Sequence, residues 1–357
     1  MQVPIDPQHY DPIMDLKETL RTIVDHYLTP PLRALLGTPP NELLPSGPRD
    51  RPDWLRLLER AHLRADGPAF LAAITAINKL LLDLKYPALP PDIFQDAPPN
   101  SIKESVSAWT PTGLPSAVAR RIVEETYQRV VGPRIAELRK YESFSSTVYG
   151  ELLPNFVEDN IIRLGGLGPG KLLVDLGSGV GNVPIQAALQ TGCKSFGIEV
   201  MEAPADIANE QLDQVKIRAR MWGVAMGEVE LVRGDMLEDR RVSELMSKAD
   251  VVLVNNKVFT QSLNEAIRPK FLDLKEGALV ISLEPFVPTL NARMTDRNIG
   301  DLSTIFDVSR HEYTPNSVSW TDNGGIFYVH RVDREGYARI VEKYEARQSG
   351  RSTRSRR

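Results

Sequence analysis

Cysteine is almost missing from this chain of 357 residues, with Cys193 the single one. It cannot close an internal disulfide, and no second thiol stands near it to hold zinc. The reading is therefore an intracellular protein without a structural metal. A small buried apolar residue at a helix end accounts for Cys193 itself. An excess of either charge is also lacking: 43 Lys and Arg face 47 Asp and Glu, a net of −4. That balance argues neither for nor against nucleic acid. No uninterrupted apolar run reaches the roughly 18 to 20 residues that cross a bilayer, and the N-terminus has no charged region followed by an apolar one. Neither membrane insertion nor secretion is expected. What is present is 42% apolar residues, enough to fill the core of one large or two ordinary domains.

Two textures divide the chain. Residues 1–140 carry apolar positions three and four apart, predicting helices near Ile13 to Leu28, Trp54 to Leu63, Phe70 to Leu84 and Val118 to Val130. Proline-rich connections interrupt them at residues 38–41, 45–52 and 89–99. No catalytic constellation stands out there, so this half is expected to be an accessory helical domain. From about residue 141 to 335, short β-rich runs alternate with helical segments. Strands are expected at Leu172 to Leu176, Ser195 to Val200, Val229 to Arg233, Val251 to Asn255 and Ala278 to Leu283, with late strands near Phe306 and Ile326. The fold class is then α/β, a parallel sheet covered by helices on both faces. Residues 336–357 read as a helix end followed by a basic, disordered tail. In that tail, residues 347–357 lack large apolar side chains. Such a tail can neutralise phosphates, bind an acidic protein surface, or serve only for solubility or targeting.

The most informative stretch is Leu172-Leu-Val-Asp-Leu-Gly-Ser-Gly-Val-Gly-Asn182. An apolar strand ends in Asp175, and Gly177, Gly179 and Gly181 turn the chain into a helix that Asn182 begins. Small residues let the backbone approach a ligand, and a new helix N-terminus presents free N–H groups. A dinucleotide fingerprint spaces its glycines as G-x-G-x-x-G to fit a pyrophosphate. Here the third glycine comes one residue early, and the Asp175 carboxylate suits the cationic methionine moiety of S-adenosylmethionine.

Ligands of such sheets bind beyond the carboxyl ends of the strands, which makes strand ends a list of candidates. Glu199 closes the second strand and can accept ribose hydroxyls; a solvated strand end is the plainer account. Asp235 follows the third strand and can accept an adenine amino group, with Met236 packing on the ring, or can simply make a turn. Asn255 and Asn256 end the fourth strand, and uncharged amides suit the alignment of a neutral nucleophile with a methyl group, although Asx turns are common there.

Taken together, the residues resemble a known family. Val148-Tyr-Gly-Glu151, Val174 to Asn182, Gly197-Ile-Glu199, Arg233-Gly-Asp235, Val254-Asn-Asn256 with Phe259, and Ser317-Val-Ser-Trp-Thr321 occur in order, similar to the "disruptor of telomeric silencing" histone methyltransferases. The resemblance covers about residues 140 to 335. It implies a class I, seven-strand, Rossmann-like methyltransferase sheet. It also implies that S-adenosylmethionine is used to methylate lysine seventy-nine of histone H3 on the nucleosome, giving mono-, di- and trimethyl products. By the same resemblance Tyr149, Glu151 and Leu152 lie over the methionine end of the cofactor, Asn255 sits at the transfer site, and Phe259, Trp320 and Phe327 line or support the lysine channel; each aromatic can equally be ordinary core. The implied setting is the nucleus, with nucleosome and histone H3 as partners. Ubiquitinated histone, and DNA reached through the basic tail, are further candidates; no metal is implied. The chain departs from the family's pattern at Lys257, where an aromatic is usual, and at Phe327, where a tyrosine is usual. Three rivals remain on the residues alone. They are an amino methyltransferase of nucleic acid, which would need prolines after Asn255, a noncatalytic chromatin-binding module, and an NAD-dependent dehydrogenase.

Overall fold

Side-chain caps written into the sequence set most helix starts in the first half. Asp11 accepts backbone N–H groups at the start of α1 (Pro12–Tyr27), whereas proline opens α2 (Pro30–Leu36). Asp53, Asp66 and Asn100 cap α3 (Trp54–Leu63), α4 (Gly67–Lys85) and α5 (Ser101–Ala108) in the same way as Asp11. Each cap satisfies a donor that the first helical turn leaves without a partner. The computed structural model describes residues 10–37, 52–92, 94–96, 98–109, 113–138, 150–287, 305–339 and 341–342. The basic segment 347–357 and Tyr149 lie outside them.

The chain divides into two units, Met1–Arg121 and Ile122–Arg357. In the first, Leu20, Val24, Leu28, Leu36, Leu58, Ala61, Phe70, Ala73 and Ile77 bury together. Asp15 pairs with Arg121, both well shielded from solvent. The helix α4 is long and apolar enough, by length and composition, to cross a membrane. Asn78, Lys79 and Asp83 interrupt its apolar run, and Phe70, Ala73 and Ile77 are buried in the unit's core.

The division falls inside α6 (Ser116–Val130), ahead of residue 140, where composition alone draws the boundary. The reason is packing. Val130, Val131 and Leu138, the last on α7 (Ile135–Leu138), bury against Val180 and Ile207, with Tyr127 beside them. Buried Glu125 pairs with Arg218 at 2.5 Å. This stretch belongs with the sheet.

Short apolar strands alternating with helices build a seven-stranded sheet of order β3-β2-β1-β4-β5-β7-β6. The strands are β1 (Leu172–Leu176), β2 (Lys194–Glu199), β3 (Val229–Arg233), β4 (Val251–Val254), β5 (Leu279–Ser282), β6 (Phe306–Tyr313) and β7 (Gly325–Val332). The first five are parallel. β7 runs antiparallel between β5 and β6. Successive side chains of a strand point to opposite faces, and the cores follow that rule. Leu173, Val251, Leu253, Leu279 and Ile281 join one core, and Val174, Val252, Val254 and Val280 the other. The first core is completed by α8 (Pro154–Phe156), its π-helical continuation Val157–Arg163, and α9 (Asn182–Thr191); α10 (Glu202–Met221) packs by β3. The second core is covered by α11 (Arg240–Met246) and α12 (Gln261–Ile267). This is a Rossmann-like sheet, parallel over its first five strands, carried with an N-terminal helical region.

Candidate functional site

One cavity of about 380 Å³ opens at the carboxyl ends of β1, β2 and β4. Its lining joins the first strand-to-helix turn with the ends of β2 and β4, the segment 150–152 and Trp320. The turn's shape is dictated by glycine. Gly177, Gly179 and Gly181 have φ of +90°, +54° and +79°, a region that residues with a Cβ enter only with strain. At Gly181 a Cβ would also stand 2.7 Å from Leu231 Cδ1. Gly181 therefore serves close packing, whereas Gly177 and Gly179 face the cavity.

The two acids at the strand ends are held differently. Glu199 Oε2 accepts from Gly179 N–H at 2.9 Å and Oε1 from Met201 N–H at 2.8 Å. Burial raises its pKa, and backbone N–H groups oppose that rise. Asp175 is 2% exposed. Burial, and then the charge of Glu199, push its carboxyl up to about 8. Burial thus favours the neutral form of Asp175 over the charged one.

A third acid stands at the lip. Glu151 accepts from Tyr127 O–H at 2.9 Å and from Asn182 Nδ2 at 2.9 Å. Its segment is clasped to the one carrying Trp320: Ser319 N–H donates to Glu151 O at 2.9 Å, and Glu151 N–H donates to Ser319 Oγ at 2.8 Å. The indole lies so close to Gly150 that a Cβ there would meet it at 2.9 Å. The Gly150 carbonyl accepts from Asn255 Nδ2 at 3.2 Å. Asn255 Oδ1 is buried with no partner among the described residues.

Of the residues singled out from sequence, Glu151, Leu152, Asp175, Gly177, Gly179, Asn182, Glu199, Met236, Asn255, Phe259 and Trp320 are brought together in the cavity wall. Asp235 is not. It is exposed, and its Oδ1 accepts from Leu237 N–H at 2.8 Å, an Asx turn. Phe327 is not either. It is 1% exposed in the core, edge-on to Phe156 and stacked with His311. The idea of two amides at the crevice needs correction, because Asn256 is 1% exposed and engaged in tying the end of β4 to Asn264 on α12 and to the segment after β5.

Sequence reasoning passed over Tyr127 and Gln211, which reach the site only through folded neighbours. Lys257, noted from sequence as standing where an aromatic is usual, lies in the cavity wall, paired with Glu284 at 2.5 Å. Among the described residues no cluster of three or more metal-ligating side chains occurs.

A family model described as histone methylation protein DOT1 matches residues 127–332. A histone-lysine N-methyltransferase of Mycosarcoma maydis, named as H3 lysine-79 specific, is 38% identical over 335 residues, covering 93% of this chain and 38% of the relative. Its namesake in Emericella nidulans is 35% identical over 331 residues, covering 93% of this chain and 61% of the relative. The chain thus spans about two fifths to three fifths of the length of these relatives. Among solved structures, an RNA methyltransferase of Salinibacter ruber in complex with S-adenosyl-L-homocysteine is 21% identical with a TM-score of 0.34, covering 51% of this chain and 93% of that one.

Proposed function

Because the chain belongs to the histone methylation family DOT1, we propose that its cavity takes S-adenosylmethionine and that it methylates lysine seventy-nine of nucleosomal histone H3. One observation carries this reading. A glycine-turned cradle with two acids, Asp175 and Glu199, is continuous with an amide oxygen, Asn255 Oδ1, that is buried and unpartnered.

The residues fit that cofactor. Gly177 and Gly179 line the cavity with backbone alone, in a left-handed conformation that strains any other residue, and the Asp175 proton leaves readily beside a positive group. Bound there, S-adenosylmethionine supplies an activated methyl group and a thioether leaving group. The chain's own part is orientation and desolvation. Glu199, fixed by two backbone N–H groups, offers its oxygens to ribose hydroxyls. Asn255 Oδ1 accepts an N–H of the lysine nitrogen and so aims its lone pair. A free lysine has a pKa of about 10.4; apolar walls such as Phe259 and Leu263 disfavour its ammonium form, and no strong base is required. Trp320 braces the wall from the Gly150 side.

The products are mono-, di- and trimethyl-lysine, the partners nucleosome and histone H3, and the setting the nucleus. The chemistry is assigned to the sheet unit, with the helical unit as an accessory. The basic segment 347–357 is assigned to contact with DNA phosphates or a histone's acidic surface, beside ubiquitinated histone as a further partner. The test is incubation with labelled cofactor and either nucleosomes or free histones, followed by mass spectrometry. Label on lysine seventy-nine, with nucleosomes preferred, is the expected result. Equal transfer to free histone, or label elsewhere, rejects the substrate.

A further inference from the structure

A chain of directed hydrogen bonds runs into the cavity from two helices outside it. Gln211, on α10 and 1% exposed, donates from Nε2 to Val180 O and to Asn182 Oδ1, both at 2.9 Å. Asn182 then donates from Nδ2 to Glu151 Oε2 at 2.9 Å. From the opposite side Tyr127, on α6, donates its hydroxyl proton to Glu151 Oε1 at 2.9 Å. Each amide is locked in one orientation, since reversing Gln211 or Asn182 would face oxygen against oxygen. The buried Gln211 Oε1 has no partner among the described residues, so the amide works through its Nε2, which holds the Val180 carbonyl and orients Asn182. Both donors converge on one carboxylate at the cavity lip, the acceptor pattern of an ionised acid.

We propose that Tyr127 and Gln211 are positioning residues that hold the Glu151 carboxylate for the ammonium of the cofactor's amino-acid end. The inference rests on the reading of the cavity as a site for S-adenosylmethionine. Glu151 stands between the glycine turn and Gly150, whose carbonyl holds Asn255. Glu199, on the other side of the turn, is the acid for the ribose. A carboxylate fixed by two donors meets a cation without first losing rotamer freedom, so the gain falls on cofactor affinity rather than on the transfer step.

Calorimetric titrations with three ligands separate the possibilities: S-adenosylmethionine, S-adenosylhomocysteine and 5′-methylthioadenosine, which lacks the amino-acid end. Tyr127→Phe is expected to weaken the first two by about tenfold, the worth of one hydrogen bond to a charged group, and to leave the third unchanged. Steady-state assays should show the loss in KM for the cofactor, with kcat moved less. In a Glu151→Gln background the same substitution should add little, since the two act through one contact. Equal weakening of all three ligands would reduce Tyr127 to a packing residue and overturn the proposal. So would unchanged affinity for the first two, or full additivity with Glu151→Gln. If the unaltered protein binds none of the three, the cofactor reading itself falls and takes this inference with it.

Discussion

Asn255 and Asn256 are adjacent and chemically identical, yet among the described residues the Asn256 side chain makes four hydrogen bonds while that of Asn255 makes one and leaves its Oδ1 without a partner. Neighbours at a strand end face opposite ways, so one amide ties β4 to the segment after β5 and the other turns to the cavity. Buried ionisable groups show the same contrast. His330 sits in the core with both ring nitrogens engaged, Nε2 accepting from Phe286 N–H at 3.2 Å and Nδ1 lying 3.2 Å from Val280 O. Asp175 is equally buried, but its surroundings are hydrophobic burial and the like charge of Glu199. Asn256 and His330, saturated by the fold, maintain it; Asn255 and Asp175, which line the cavity, are open for a ligand.

The largest effects should separate the two asparagines. Asn256→Ala strands the N–H groups of Leu283 and Glu284, and unsatisfied buried donors cost about 1–3 kcal/mol each. Stability in denaturant should fall by about 3–5 kcal/mol. Asn255→Ala should cost under about 1 kcal/mol of stability but slow single-turnover methyl transfer by about 10²-fold, the usual loss for one preorganised polar contact. Equal loss of stability in both variants would erase the distinction.

Titration offers a second, somewhat smaller test, because the buried groups respond to pH with their own signs. The Asp175 carboxyl is raised from 3.8 to about 8, so the folded ligand-free protein holds a proton there that the unfolded chain releases. Stability therefore declines as pH rises from about 4 to 8, and a cationic ligand binds with proton release, tighter toward pH 8 and level above it. Asp175→Asn should flatten that affinity profile, raise stability at pH 8 by about 2–4 kcal/mol, and lower cofactor affinity. Calorimetry in buffers of differing ionisation heat would expose the released proton. His330 is lowered from 6.5 to about 4 by burial. The unfolded chain takes up its proton first, so this contribution is present above pH 6.5 and is lost as pH falls toward 4, about 2–3 kcal/mol in all. His330→Gln should blunt that decline in the denaturant midpoint.

Legibility follows how locally each feature is determined. The cradle was readable because glycines spaced by one residue after an apolar strand impose the left-handed turn by themselves. Asp175 and Glu199 follow from the rule that strand ends carry ligand groups. Asn256 was not separable from Asn255, since its partners Leu283 and Glu284 come from the distant segment after β5. Phe327 is an aromatic in an alternating run, and only the pairing of β7 with β6, which sets it opposite His311, sends it into the core. For Asp235 the turn was the simpler of two readings, and the chain takes it. Tyr127 carries no signal at all in sequence: its hydroxyl finds Glu151 because α6 packs beside the glycine turn.

Lys257 marks the other side of the comparison, a charge at the cavity rim that the chain has only partly satisfied. Its ammonium pairs with Glu284, and both side chains are close to half exposed. Asn256 and Ser282 bond the backbone of Glu284, so the carboxylate is the fixed member and the lysine the movable one. An exposed pair of this kind contributes about 0–1 kcal/mol, and Lys257→Met should leave the denaturant midpoint nearly unchanged. A rim charge acts instead on encounter with a charged partner and on its salt dependence. The expected outcome is a change of about two- to fivefold in KM for nucleosomes at low salt, fading as salt screens the rim. Were Lys257→Met to cost as much stability as Asn256→Ala, the pair would belong with the saturated groups of the fold, and the division between closed and open polar groups would have to be redrawn at β5.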